Sequence, residues 1–223
     1  MRRFSLSSLI ALLLGGLSLA IAVFFTANYA ITDNVTSNNL TYDDGLVSNE
    51  DIAEVLNTYP NMPTGIFTPE TTYILAMAHL HLAFEKGIFS NDARPDAKAA
   101  EQYLLSVVST APANASAWYY LSLLQFVQAK DPQRMADYYM MSVNNAPRLP
   151  FAVYQRLFFS GIILSFVDMD DRKKLIDQIH TAWIFGPEAT IHRLPPKLAP
   201  ELLEEALIQD KNALMELKEK LRP

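Results

Sequence analysis

The chain has 223 residues, of which half are hydrophobic, only seven are glycine and none is cysteine. The lack of cysteine excludes disulfides, thiolate metal sites and a cysteine nucleophile, and the scarcity of glycine disfavours a strand-rich sandwich. The 24 acidic residues outnumber the 18 basic ones. This acidic balance argues against nucleic acid and against an anionic membrane surface as partners.

The N-terminus carries an uncharged apolar stretch at residues 5–25. As a helix it would span about 30 Å, the thickness of the hydrocarbon core of a bilayer. Arg2 and Arg3 precede it, and the next basic residue is Lys86. The positive-inside rule then places the N-terminus in the cytoplasm and the rest of the chain outside it. We therefore expect residues 1–25 to form a cytoplasmic stub and a lipid-embedded anchor in a bacterial inner membrane.

A cleaved signal peptide is the competing interpretation of this segment. The small-x-small pattern from Ala20 to Ala22 is typical of a cleavage site. The apolar run continues through Phe25, however, and exceeds the 7–15 residues of an ordinary signal sequence. Retention of the segment as an anchor is favoured. Under both interpretations, the domain that follows is exported.

Small residues recur in the anchor at the spacing that allows a second transmembrane helix to approach closely. Ordinary anchor composition explains the same pattern, since such helices are rich in these residue types. The candidate contact residues are Ser7, Ala11, Gly15, Gly16 and Ala20.

After the anchor, residues 26–47 form a polar arm that lacks hydrophobic periodicity, and residues 48–223 carry helix signals throughout. Ser48 can cap a short helix that Pro60 ends, and Thr68 with Pro69 starts a longer one. No segment alternates with period two, so the predicted fold class is all-α. The further predicted helices are 95–110, 115–129, 132–145, 150–166, 171–185 and 200–221, with Asp131 and Asp170 as clear caps.

Three prolines each close a predicted helix. Pro112, Pro147 and Pro187 are separated by 35 and 40 residues, and similar helical sequences precede them. A period of about 34–45 residues made of helix pairs is typical of an α-solenoid. We expect about three helix pairs, with the amphipathic helix 200–221 covering the last apolar edge.

The segment from Trp118 to Pro147 resembles a tetratricopeptide repeat. Trp118, Leu121, Ala136 and Pro147 stand near the aromatic, leucine, alanine and proline positions of that motif. Ser122 departs from the small glycine position, the loop between the two helices is about two residues too long, and the flanking repeats match less well. The resemblance covers about residues 70–187 and implies the architecture, not the ligand.

If the resemblance holds, the first helix of each pair lines a concave groove that binds a peptide or a partner helix. Alternatively, the aromatic residues at these positions pack between helices as core. The residues that the resemblance assigns to the groove are His81, Tyr119, Leu123, Phe126, Tyr154 and Phe158.

The sequence contains no recognisable catalytic motif. His79 and His81 lie two positions apart, so on a helix their side chains diverge by about 200° and do not bind one metal together. No metalloprotease motif or glycine-rich phosphate loop is found. We expect no enzymatic activity, catalytic residue, metal or cofactor.

Two functions fit these expectations. The first is a membrane-anchored scaffold that presents its periplasmic domain to protein partners of an envelope assembly, such as a polysaccharide, secretion or cytochrome-maturation system. The second is a structural accessory subunit, bound permanently to a larger membrane complex through its anchor and arm.

Replacing Gly15 and Gly16 with leucine separates these two functions. Bulky side chains block close helix approach in the membrane, so an accessory subunit should be released from its complex and a scaffold should keep its partners. Co-purification from detergent-solubilised membranes measures the difference. The accessory-subunit hypothesis fails if the substituted protein retains every association.

Overall fold

A computed structural model describes Leu56 and residues 68–220. In this part of the chain all regular structure is helical, which confirms the predicted all-α class. The helices are α1 (Pro69–Glu85), α2 (Arg94–Thr110), α3 (Ala115–Val127), α4 (Pro132–Asn145), α5 (Pro150–Ile163), α6 (Met169–Phe185), α7 (Pro187–Arg193), α8 (Ala199–Leu207) and α9 (Lys211–Lys220).

The described residues include no helix that is both long enough and apolar enough to cross a membrane. The predicted anchor, with its five candidate contact residues, and the polar arm lie outside the described residues. The short helix expected after Ser48 does as well, apart from Leu56. Leu56 is helical and half-buried, and it packs against the core formed by the first helices.

Side-chain caps fix where several helices begin. Asp131 accepts a hydrogen bond from the backbone N–H of Gln133 at 3.0 Å, as its cap position predicts. At α6 the cap is Asp168, whose Oδ1 accepts from the N–H of Asp171 at 2.9 Å. The prediction of Asp170 as the cap is therefore wrong by two residues, and Asp170 instead lies in the first turn.

Neighbouring helices pack most extensively as two pairs, α1 on α2 and α3 on α4. Within the second pair, the fully buried Ser122 donates its hydroxyl to the carbonyl of Met135 at 2.7 Å. This hydrogen bond requires a small side chain, because it holds α3 directly against the α4 backbone. The Trp118 and Tyr138 rings lie 5.5 Å apart across the same pair.

The buried apolar side chains form two cores that meet at α5. The first core is built mainly from α1–α4 and includes Phe159 and Ile163 of α5. The second is built from α5, α6 and the C-terminal helices and includes Val153 and Leu157 of α5. Successive turns of one helix therefore face two different cores.

A buried arginine joins α4 to α5 at this boundary. Arg156 is 1% exposed, and its Nε and Nη2 donate to the carbonyls of Ala152 (2.7 Å) and Ala146 (2.5 Å). Ala146 ends α4, so the guanidinium satisfies a carbonyl that the helix leaves unpaired. Tyr139 of α4 donates its hydroxyl to the Arg156 carbonyl at 2.9 Å. Burial lowers the pKa of Arg156 to about 10.

The C-terminal segment differs from the single capping helix expected at 200–221. Residues 208–210 leave the helix, and α8 and α9 form on either side of them. In a continuous helix, Asp210 and Lys211 would follow the buried Leu203 and Leu207 on the core face. The break removes these charges from the core. It also brings Leu217 of α9 back onto the second core.

We expect the protein to lose stability between pH 10 and pH 12. Burial raises the pKa of Tyr119 to about 12 from its ordinary value of 10 and raises the pKa of Tyr139 further. The unfolded chain therefore releases these protons first, and rising pH favours unfolding. Arg156 contributes in the opposite direction. Its pKa in the folded protein is about 10, below its ordinary value, so as the pH rises through 10 the buried guanidinium loses its proton and the free-energy cost of burying its charge disappears.

The Tyr119→Phe variant isolates one of these groups. In this pH range its unfolding free energy should fall less steeply than that of the wild type, by about 1.4 kcal/mol per pH unit. Urea unfolding in detergent micelles, followed by circular dichroism, measures the slope. Equal slopes in both proteins would contradict the assignment.

Candidate functional site

Of the residues assigned to a partner groove, those on α1 and the start of α3 are largely covered. Tyr119 is 7% exposed and belongs to the first core. Leu123 is half-buried against the same core. The half-buried His81 has its Nε2 atom 3.9 Å from Oε1 of Glu85, one turn away on α1. These three side chains contribute little exposed apolar surface.

Phe126 and Phe158 are the exposed members of the set, at 39% and 70%. Phe126 lies between two rings: Phe89, at 6.4 Å between centroids, and the buried Phe159, at 5.2 Å. It therefore extends the first core to the surface.

Tyr154 belongs to the other core. Its ring lies 6.4 Å from that of Phe185, and the Arg193 guanidinium lies 5.3 Å from the ring centre, within cation–π range. Of the six predicted residues, Tyr119 and Leu123 thus contact the first core and Tyr154 contacts the second, so they do not line one continuous groove.

A small cleft surrounds Phe126, where the end of α3, the start of α4 and the end of α5 meet. Its volume is about 310 Å³, enough for one large side chain but at the lower limit of ligand pockets. Glu101 of α2 borders it, accepting from Gln125 at 2.8 Å and from Lys130 at 2.6 Å. The lining residues are Gln125, Phe126, Ala129, Lys130, Pro132, Met135, Ile162 and Phe166.

A larger groove, which we call the C-terminal groove, lies between α6 and the α8–α9 segment. Its volume is about 940 Å³. Ile176 and Ala206 are half-buried in it, and Met169 at one end is 78% exposed. The lining residues are Met169, Arg172, Lys173, Ile176, Asp177, His180, Glu205, Ala206, Gln209, Asp210, Lys211 and Asn212.

Charges of both signs surround the apolar part of the C-terminal groove. Arg172 makes a two-pronged ion pair with Glu205, at 3.2 Å and 2.6 Å, which ties α6 to α8. His180 Nε2 lies 3.8 Å from Oδ2 of Asp210, at the break between α8 and α9. Lys173 is exposed and has no ion-pair partner among the residues that the structure describes. The groove thus combines apolar surface with a mixed-charge rim, which suits a polypeptide ligand.

A third cleft, of about 460 Å³, lies on the side of α6 opposite the C-terminal groove. It shares Asp177 and His180 with that groove. Its other lining residues include Arg148 and Gln178, and the Gln178 amide donates to the carbonyl of Pro147 at 2.5 Å. This hydrogen bond ties α6 to the α4–α5 loop. A solvent-accessible depression therefore lies on each side of α6.

A cluster of titratable side chains ties the start of α2 to α1. The Asp96 carboxylate on α2 is hydrogen-bonded to His79 Nδ1 at 3.1 Å and to Lys86 Nζ at 2.6 Å. Burial opposes ionisation, but these two hydrogen bonds outweigh it and hold the pKa of Asp96 below its ordinary value. Within the described residues no group of three or more potential ligands could hold a metal ion.

Sequence reasoning missed the C-terminal groove because it depends on the break between α8 and α9. One local signal was present. Asp210 is a residue type that often caps helices, and in the structure its Oδ1 accepts from the N–H groups of Asn212 at 3.1 Å and Ala213 at 3.0 Å.

Replacing Asp210 with alanine should fray α9 and open the groove. Loss of a side-chain cap costs about 1 kcal/mol, so hydrogen exchange should become faster in residues 211–220 and stay unchanged in α1–α4. Glu201→Ala, an exposed change in the first turn of α8, is the control. Uniform acceleration over all helices would show that Asp210 acts globally instead.

No protein-family model matches this chain, and no curated protein matches it. Function must therefore be argued from the site and not from kinship.

Proposed function

We propose that this protein is a membrane-anchored adaptor. Its N-terminal helix holds it in a bacterial inner membrane, and its helical domain binds a polypeptide of an envelope assembly on the periplasmic side. The observation that carries the proposal is the C-terminal groove, whose apolar surface is rimmed by charges of both signs.

The groove matches how polypeptides are recognised. Apolar anchors supply most of the affinity, while rim charges align the partner and exclude others. Met169 offers an exposed apolar contact, and the exposed Lys173 and Lys211 offer positions for acidic side chains. A segment that binds here would carry apolar residues flanked by at least one carboxylate.

The helix pairing supports a tetratricopeptide-like adaptor. The burial of Ala136 and the Trp118–Tyr138 contact are consistent with the positions that the resemblance assigns. Ser122 departs from the motif, but its hydrogen bond to Met135 still allows α3 to approach α4 closely. Stacked helix pairs form extended surfaces that bind peptides and partner helices.

A double substitution, Met169→Asp with Lys173→Glu, tests the groove. Both side chains are exposed, so the fold should persist. Reversing the charge and removing the apolar contact should reduce partner recovery by about tenfold. The measurement is quantitative mass spectrometry of proteins that co-purify with the tagged full-length chain from detergent-solubilised native membranes.

Met215→Asp with Lys98→Glu makes the same chemical changes at exposed positions outside the groove. Circular dichroism and thermal unfolding verify that both variants are folded. Recovery of one stoichiometric membrane complex that neither double substitution affects would contradict the adaptor proposal and favour an accessory subunit.

A further inference from the structure

The middle of this acidic chain contains a long segment without acidic residues. Between Asp137 and Asp168 there are 30 residues, and the only charged ones are Arg148 and Arg156. Arg156 is buried, so the exposed surface of α5 carries no charge at all. The domain's negative charge is therefore absent from this surface.

The exposed surface of α5 is aromatic instead. Phe151 is 51% exposed, Phe158 is 70% exposed and Ile162 is half-buried, and their spacing of seven and four residues places them on one face. Phe166, 40% exposed, follows just after the helix. We call these four residues the α5 ridge.

The remaining faces of α5 are already in contact with the rest of the protein. Two faces supply the first and second cores, as described above. At Gly161, a Cβ atom added to the backbone would lie 2.8 Å from Leu198 and 3.2 Å from Pro195, so this side packs closely against the α7–α8 loop. Phe151 and Phe158 lie on the side that these contacts leave uncovered, while Ile162 at its edge packs partly against the first core.

We propose that the α5 ridge docks the domain onto the lipid surface of the membrane that anchors it. This inference rests on the anchor of the proposed function. The domain as a whole is too acidic for electrostatic attraction to anionic lipid, but insertion of phenylalanine side chains into the interface needs none. The absence of carboxylates favours docking. Any carboxylate on this surface would have to lose its hydration, or move away from the lipid, when the surface enters the interface.

The chain length between the predicted anchor and the domain favours the lipid surface as the binding partner of the α5 ridge. Leu56 packs against the first core, which leaves residues 26–55 as the longest connection to the predicted anchor. As a random coil, a chain of this length has an average end-to-end distance of about 30 Å. The bilayer is therefore the one apolar surface that the anchor always keeps within reach, at a millimolar-range effective concentration, so weak intrinsic affinity suffices.

The shape of the α5 ridge also favours a lipid surface over a peptide. Ile162 and Phe166 border the cleft around Phe126, but Phe151 and Phe158 line none of the three clefts described above. They project from the helix instead, which suits insertion into a deformable interface. A peptide ligand needs a concave site that excludes water around its anchors.

Site-specific fluorescence tests the docking. The chain has no cysteine, so Ser165→Cys introduces a single labelling site seven residues after Phe158 and leaves the ridge intact. The full-length protein carries an environment-sensitive dye there and is reconstituted in phosphatidylcholine–phosphatidylethanolamine vesicles, with some lipids bearing a nitroxide quencher near the headgroup. Quenching at position 165 should be several-fold stronger than at Met215→Cys, an exposed site on α9.

A second variant ties the quenching to the ridge. Phe151→Ser with Phe158→Ser should reduce quenching at position 165 to the level at position 215 and leave the melting temperature nearly unchanged, since both side chains are largely exposed. Quenching at 165 no stronger than at 215, or unaffected by the double substitution, overturns the proposal. A blue-shifted dye without lipid quenching also overturns it, because a protein then covers the ridge.

Alkaline extraction of the same vesicles separates the two proposals. If the protein stays in the bilayer but position 165 is not quenched, docking alone fails and the anchored adaptor stands. If the protein is extracted, the anchor fails, and the docking proposal fails with it.

Discussion

The hydrogen bonds of Arg156 hold together the place where the two cores meet. A buried guanidinium is costly to desolvate, and here backbone carbonyls, one at the end of α4 and one within α5, accept its hydrogen bonds. This desolvation cost is offset because the same side chain satisfies an unpaired carbonyl and fixes the corner at which the chain passes from α4 to α5. With that corner fixed, successive turns of α5 face different cores, and the long outer face of the helix is left to the solvent. The C-terminal groove depends on the same corner, since α6 packs on α5.

Two surfaces of different character follow from this arrangement. The C-terminal groove is concave, mixed in charge and bounded by α6, α8 and α9, as a polypeptide site requires. The α5 ridge is uncharged and aromatic. In the membrane-tethered adaptor that we propose, one surface would orient the domain on the bilayer and the other would remain available for a partner. Binding at the groove would then occur at a defined height above the membrane instead of anywhere within reach of the arm.

Local chemistry made much of the fold predictable. Thr68–Pro69 and Asp131–Pro132 start helices where expected, because a cap side chain and a proline act within one turn. The candidate site was harder to predict. Aromatic residues at helical spacing, such as Tyr119 and Phe158, look alike in sequence. Tyr119 is nevertheless buried and Phe158 exposed, because burial depends on which helix packs against each face.

By itself the sequence determined the all-helical class, most helix bounds in the described part and the absence of acidic residues from α5, since these follow from residue type and local spacing. Only the tertiary structure decided that α5 serves two cores, that Arg156 is buried, and that the last helix breaks at residues 208–210. The break illustrates the reason. The amphipathic pattern allowed one continuous helix, but the second core could not accept Asp210 and Lys211, so the chain turned and α9 returned along another path. Where such a helix ends depends on which distant side chains can be buried together in one core. The spacing of residues along the chain does not determine this.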